Sequence, residues 1–181
     1  MKKIMIDPGH GGDDNGAVYG FVEEDDTNLS IGNLVYLMLQ LQSFMVNMTR
    51  DKDEKVELSE RVNIANQMKP DAFVSIHCDA FHQETAEGMT VHISPNASAT
   101  SRKLAENIIE SMADKFPDHR NRGVKVSNYY VLRNTIMPAV LIECEFLSNP
   151  ETNKFLKEPE NQFDMADAIT KGIYKTLKKE G

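Results

Sequence analysis

The stretch "IMIDPGHGGDDNGAVYGFVEED", residues 4–25, carries Ile4, Met5 and Ile6 straight into Asp-Pro-Gly-His-Gly-Gly and ends on a run of acids. Residues 3–6 read as a short buried strand, and the proline and glycines that follow it read as a turn holding His10 at the strand's mouth. From 28 to 42 the apolar positions Ile31, Leu34, Val35, Met38 and Leu41 recur at the helical period. Leu37 and Leu39 widen that stripe, which predicts a heavily covered helix. Strand, turn and helix in that order make the first unit of an α/β chain.

The pattern repeats outward from there. Residues 44–48 form a second strand, and Leu58, Val62, Ala65 and Met68 recur at helical spacing until Pro70 stops them. "AFVSIHC", 72–78, is a third strand and 88–94 a fourth. A helix spans 101–116 on Leu104, Ala105, Ile108, Ile109, Met112 and Phe116, and 129–132 and 139–146 are the last strands. Ser148-Asn149-Pro150-Glu151 reads as a capping box, followed by a closing helix with Ala166, Ile169, Ile173 and Leu177 on one side. The fold class is therefore α/β: a single domain, 1–181, with a mostly parallel twisted sheet of about six strands and helices on both faces.

A chain of 181 residues, 40% hydrophobic and 27% charged, has the composition of an ordinary globular domain. No apolar run approaches the ~18 residues of a membrane helix. Asp7 cuts the apolar run after Lys2-Lys3 too short for a signal peptide, so synthesis in the cytoplasm is expected, with any export arranged from outside this sequence. The net charge of −8, with a basic stripe only at Lys175, Lys178 and Lys179, argues against nucleic acid. Cys78 and Cys144 form no C-x-x-C and read as small buried strand residues.

In parallel sheets ligands sit outside the carboxyl ends of the strands. His10 follows the first strand, His77 ends the third and Glu143 lies in the last, so these side chains reach one rim from distant parts of the chain. A catalytic zinc takes three ligands from histidine and carboxylate and keeps one position for water. His10 and His77 supply two, and Glu23, Glu24, Asp25 and Asp26 all qualify as the third. H-E-x-x-H is absent. His82 and His119 read as loop residues and His92 as a strand residue, none of them in the site. Glu143 stands in "PAVLIECEF", where a buried unpaired charge is costly and needs a task or a partner. Period-two alternation places Glu145 on the same face.

"IMIDPGHGGDDNGAV", "EDDTNL", "LSERVNIAN", "FVSIHCDA", "RGVK" and "MPAVLIECEFLSN" together resemble the zinc-dependent N-acetylmuramoyl-L-alanine amidases of bacteria and phages, the type 3 group, along essentially the whole chain. The resemblance implies hydrolysis of the amide between N-acetylmuramic acid and L-alanine in peptidoglycan. It implies one zinc held by His10, Glu24 and His77, with Glu143 as catalytic base and acid. It also implies action at the cell wall, reached by lysis or as part of a longer exported protein; because an acidic domain has little general attraction for an anionic wall polymer, any wall attachment is expected from a separate module. A zinc peptidase of the stem peptide and a non-catalytic wall-binding module are the competing readings. Asp79 stands where the family usually has Asn, and Glu145 where it usually has Gly. Glu145 either pushes the Glu143 pKa upward or pairs with a cation such as Arg133, and Asp7 either orients His10 or caps its strand.

Overall fold

The computed structural model describes residues 1–178, so Lys179 of the basic tail lies outside the described residues. The elements run β1 (Lys3–Pro8), a small hairpin of β2 (Val18–Tyr19) and β3 (Val22–Glu23), α1 (Glu24–Leu41), β4 (Met45–Met48), α2 (Leu58–Met68), β5 (Ala72–Asp79) and β6 (Met89–Ile93). Then follow α3 (Ala99–Lys115), β7 (Asn121–Val126), α4 (Tyr130–Asn134), β8 (Ala139–Phe146), α5 (Pro150–Lys157) and α6 (Pro159–Leu177). The six-stranded sheet has the order β4-β1-β5-β8-β6-β7. Its strands β4, β1, β5 and β8 are parallel, whereas β6 runs antiparallel to β8 and parallel to β7. The expected α/β architecture is present.

Both faces of the sheet are covered, which is why β1 and β8 are buried along almost their whole length. On one face α1, α3 and α6 bring Ile31, Leu104, Ile108 and Ile169 against Ile6, Ile76 and Ile142. On the other, Val62 and Ala65 of α2 and Val131 and Leu132 of α4 cover Met5, Phe73 and Leu141. Cys78 and Cys144 are free and buried, as expected. Among the described residues no helix is long and apolar enough to cross a membrane.

The structure departs from the sequence reading in several places. Residues 129–132 are not a strand: Tyr130 opens the short helix α4. The sixth strand is β7, a half-exposed edge whose sequence NRGVKV carries no apolar run to announce it. Helix α1 begins at Glu24, so the acids form its first turn, where the helix dipole favours negative charge. Leu37 and Leu41 of that helix are exposed, leaving a narrower apolar stripe than expected. No capping box forms at residue 148. Asn149 is the N-cap of α5, accepting from the amides of Glu151 and Thr152, while Ser148 Oγ accepts from the amide of Phe81.

Helix α6 lies so close to α3 that a Cβ on Gly172 would stand 2.4 Å from Ile108 Cα. Gly172→Ala therefore has to push backbone against backbone, and is expected to cost about 1–3 kcal/mol. The measurement is the urea midpoint at unchanged m-value, and a midpoint equal to wild type would show that the two helices separate freely.

Candidate metal centre

The rim at the carboxyl ends of β1 and β5 is built around an unusual backbone. His10, two residues beyond β1, has φ +59°, in the left-handed region that non-glycine residues rarely adopt. Two buried arginines hold it there. Arg61 donates to the carbonyls of Pro8 (2.6 Å) and His10 (2.7 Å). Arg50 donates to those of Pro8 (3.0 Å), Gly9 (2.8 Å) and Asp25 (2.8 Å), so it joins the β1 turn to the start of α1.

Asp7 anchors this clamp. Its carboxylate accepts from Arg61 Nη1 at 2.9 Å and from the hydroxyls of Thr49 and Ser75, each at 2.7 Å. Burial works to raise its pKa, but Arg61 and the hydroxyls outweigh burial and hold it below the ordinary carboxylate value. Neither sequence expectation for Asp7 describes this: it acts on the His10 backbone through Arg61.

Glu24, the first residue of α1, points its Oε1 between two imidazoles, 3.3 Å from His10 Nε2 and 3.0 Å from His77 Nδ1. The same oxygen accepts from Asn28 Nδ2 and the Cys78 amide, and Oε2 accepts from the Ala17 amide at 2.9 Å. Burial alone would raise the Glu24 pKa, yet the two imidazoles carry it far below the usual range. Burial likewise works to lower the His10 pKa, but Glu24 and Asp14, the latter 3.0 Å from Nδ1, lift it to about 9.

The ligand atoms of His10, Glu24 and His77 all lie within 4.8 Å of one another, so this trio could hold a metal ion. Among the four candidate acids, only Glu24 joins the two histidines in that group. Two imidazoles and one carboxylate are a donor set suited to zinc. The glycines close the cradle: a Cβ on Gly9 would strike the His77 ring at 2.1 Å, and one on Gly16 would lie 2.5 Å from Glu24 Oε2.

Glu143 stands opposite His77 in the β5–β8 register. It is 7% exposed, and its Oε2 has no hydrogen-bond partner. Burial first, then the charges of Asp79 and Glu24, push its pKa well above the ordinary glutamate value. The cleft over these residues has a volume of about 370 Å³ and is lined also by Asp79 and Tyr129. Burial and the nearby Glu143 raise the Tyr129 phenol to about 12, so it remains a hydrogen-bond donor.

Glu145 is not on this cleft. The β5–β8 register slips, His77 facing Glu143 but Asp79 facing Phe146, so β8 holds an extra residue there. Period-two alternation fails across that bulge. Glu145 is fully buried and accepts from His119 Nδ1 (2.9 Å) and the amides of Gly88 (2.7 Å) and Phe146 (3.1 Å). His119 packs on Phe116 and Phe155, on the α3 side of the sheet. The partner is therefore His119 rather than Arg133, and Glu145 is not among the charges that bear on Glu143. His92 stays outside the metal cluster, its Nδ1 2.7 Å from Ser127 Oγ, with burial and Lys125 lowering its pKa to about 4.

Arg50, Arg61 and Tyr129 belong to the site without being singled out by the sequence pattern. Arg61 left a trace, since it lies four residues before Ala65 on the helical stripe, where a cation needs a buried partner. Arg50 and Tyr129 left none.

The sequence profile of N-acetylmuramoyl-L-alanine amidases matches residues 4–175. The chain is 35% identical over 172 residues to the N-acetylmuramoyl-L-alanine amidase LytC of Bacillus subtilis (strain 168), covering 94% of this chain and 34% of that protein. It is 36% identical over 176 residues to the probable cell wall amidase LytH of Staphylococcus aureus, covering 95% of this chain and 57% of LytH. The chain thus spans only part of the length of both relatives. The solved N-acetylmuramoyl-L-alanine amidase AmiC2 of Nostoc punctiforme superposes with a TM-score of 0.93 at 36% identity, over 98% of each chain. A profile matched from β1 to α6 and a shared fold at this identity settle the kinship: the chain belongs to the N-acetylmuramoyl-L-alanine amidase family.

Proposed function

We propose that the chain hydrolyses the amide between the lactyl group of N-acetylmuramic acid and the L-alanine of the peptidoglycan stem peptide, with His10, Glu24 and His77 holding one zinc ion and Glu143 handling the proton. The observation that carries this reading is Glu143 itself: a buried carboxyl with a free Oε2, beside three converged metal donors. A zinc ion held by His10, Glu24 and His77 would supply Lewis acidity, the chemistry that polarises a carbonyl and lowers the pKa of a water toward ~7.

Glu143 Oε2 takes a proton from the attacking water and returns it to the departing L-alanine nitrogen. Burial and the neighbouring acids raise its pKa above the ordinary glutamate value, so it accepts the proton of the attacking water more readily than an exposed carboxylate does. Tyr129, kept protonated, offers the substrate a hydrogen-bond donor across the cleft. Arg50 and Arg61 hold the His10 turn before substrate arrives. Wall attachment is assigned to a separate module, since a domain of net charge −8 has little general attraction for an anionic polymer. The domain acts at the wall, reached by lysis or as part of a longer exported protein.

Mass spectrometry of digested peptidoglycan tests the reading. New lactyl carboxylates and free L-alanine amines are expected, abolished by chelation and restored by zinc. New ends inside the stem peptide would make the chain a peptidase instead, and full activity in metal-free protein would overturn the zinc assignment.

A further inference from the structure

The RGVK segment, Arg122 to Lys125, lies in the edge strand β7 and plays no part in the site described so far. Strand register shows which way Lys125 faces. Lys125 is opposite His92 of β6, and His92 is opposite Leu141 of β8, two residues before Glu143. Residues directly opposite share a face, as do residues two apart on one strand, so Lys125 stands on the Glu143 face of the sheet. Two strand spacings and a two-residue offset separate their backbones by ~12 Å.

Arg122 comes to the same side, its guanidinium 5.0 Å from the centre of the Phe146 ring and bonded to the Glu87 carbonyl at 2.9 Å. Lys125 is exposed, and among the described residues neither it nor Arg122 forms an ion pair. On this face Asp79 feels both cations, although burial outweighs them and raises its pKa above the ordinary aspartate value. Two cations against one carboxylate leave a net positive corner on an otherwise acidic molecule.

The chemistry sets the direction in which substrate crosses this face. The metal donors lie over β1, β5 and the start of α1, while Glu143 lies one strand further toward β6 and β7. The group that protonates the leaving nitrogen must sit on the peptide side of the scissile bond. The stem peptide therefore leaves the site over β6 toward β7, and the sugar lies on the opposite side. An extended peptide advances ~3.4 Å per residue, so the residue after L-alanine arrives within reach of a lysine side chain rooted ~12 Å from Glu143.

We propose that Lys125, assisted by Arg122, binds the free carboxylate of the stem-peptide residue that follows L-alanine, and so sets a preference for acidic over amidated stems. The inference rests on the amidase reading above. It makes Lys125 a specificity residue, and Arg122 a fixed positive neighbour that raises the potential where the carboxylate docks.

The test compares two soluble substrates of the zinc-loaded protein, N-acetylmuramoyl-L-alanyl-D-isoglutamate and its isoglutamine counterpart, which differ only in carboxylate against carboxamide. Wild type is expected to favour the carboxylate roughly three- to tenfold in kcat/KM, the range of a partly solvated charged hydrogen bond. In Lys125→Gln that ratio is expected to collapse toward one, through a higher KM for the carboxylate substrate. Lys125→Glu is expected to invert it. A lysine that only guards the edge of the sheet against pairing with another chain would leave the ratio at its wild-type value, and that result overturns the proposal. Equal cleavage of both substrates by wild type also overturns it while leaving the amidase reading intact. Cleavage of neither at the muramoyl–alanine bond defeats both.

Discussion

Glu143→Gln is expected to lower kcat by about 10²–10⁴-fold, the usual loss when a positioned acid–base group is removed, while the protein still binds one zinc per chain. The substitution keeps the shape of the side chain and removes only its ability to carry a proton. It also relieves a buried carboxyl whose Oε2 has no partner, so thermal stability should hold or rise. His77→Ala gives the contrasting result, because it deletes one of three converged donors and should empty the site. Measuring zinc content and turnover on the same samples separates the two roles. Loss of zinc in Glu143→Gln would make Glu143 a ligand and put Glu24 in question.

The second large effect lies beneath the site. Asp7→Ala leaves Arg61 buried without its counter-charge, which typically costs about 3–5 kcal/mol. The same change frees the guanidinium that holds the His10 carbonyl, so zinc affinity should fall by roughly 10–100-fold even though no ligand is altered. The pH dependence has a definite sign. The folded-state pKa of Asp7 is depressed, so its contribution is fully present above the unfolded value of 3.8 and is lost as pH falls through the lower folded value. Wild-type stability should therefore drop below about pH 3.8, and Asp7→Asn should flatten that drop. Urea midpoints across that range, with zinc titrations near neutrality, give the answer. Wild-type stability and affinity in Asp7→Ala would mean that the other contacts of the turn suffice without the ion pair.

The parts of this molecule that were legible in the sequence are those where burial repeats with a period. The runs at 3–6, 72–78 and 139–146 and the stripes under α1, α2, α3 and α6 announce a covered parallel sheet, and the sheet brings His10, His77 and Glu143 to one rim. Period cannot show an edge strand. β7 is half exposed and polar, whereas of the two tyrosines after it Tyr129 caps and Tyr130 opens a short helix. Nor can it show a bulge: one extra residue in β8 sends Glu145 away from Glu143, although the sequence alternates as if they were companions. The choice of Glu24 among its acidic neighbours depends on where α1 starts, and helix starts are the least certain part of a periodic reading. Arg50 escaped notice because its four carbonyl partners are backbone atoms, which leave no mark on side-chain pattern.

The antiparallel junction between β8 and β6 has a consequence for how access to the cleft can evolve. Because β6 runs against β8, its amino end, at Thr90, reaches the rim beside Glu143. The connection leaving β5 and the connection entering β6 are therefore one and the same, residues 80–88, spanning the rim side of the sheet. It is tethered near both ends, by the Phe81 amide to Ser148 Oγ and by the Gly88 amide to Glu145. Chain added between those two moorings would grow outward as a canopy beside the cleft, leaving strand pairing and metal donors where they are. Groove depth and catalytic chemistry can thus vary independently along a lineage, the first by insertions in this one span and the second by substitution at the strand ends.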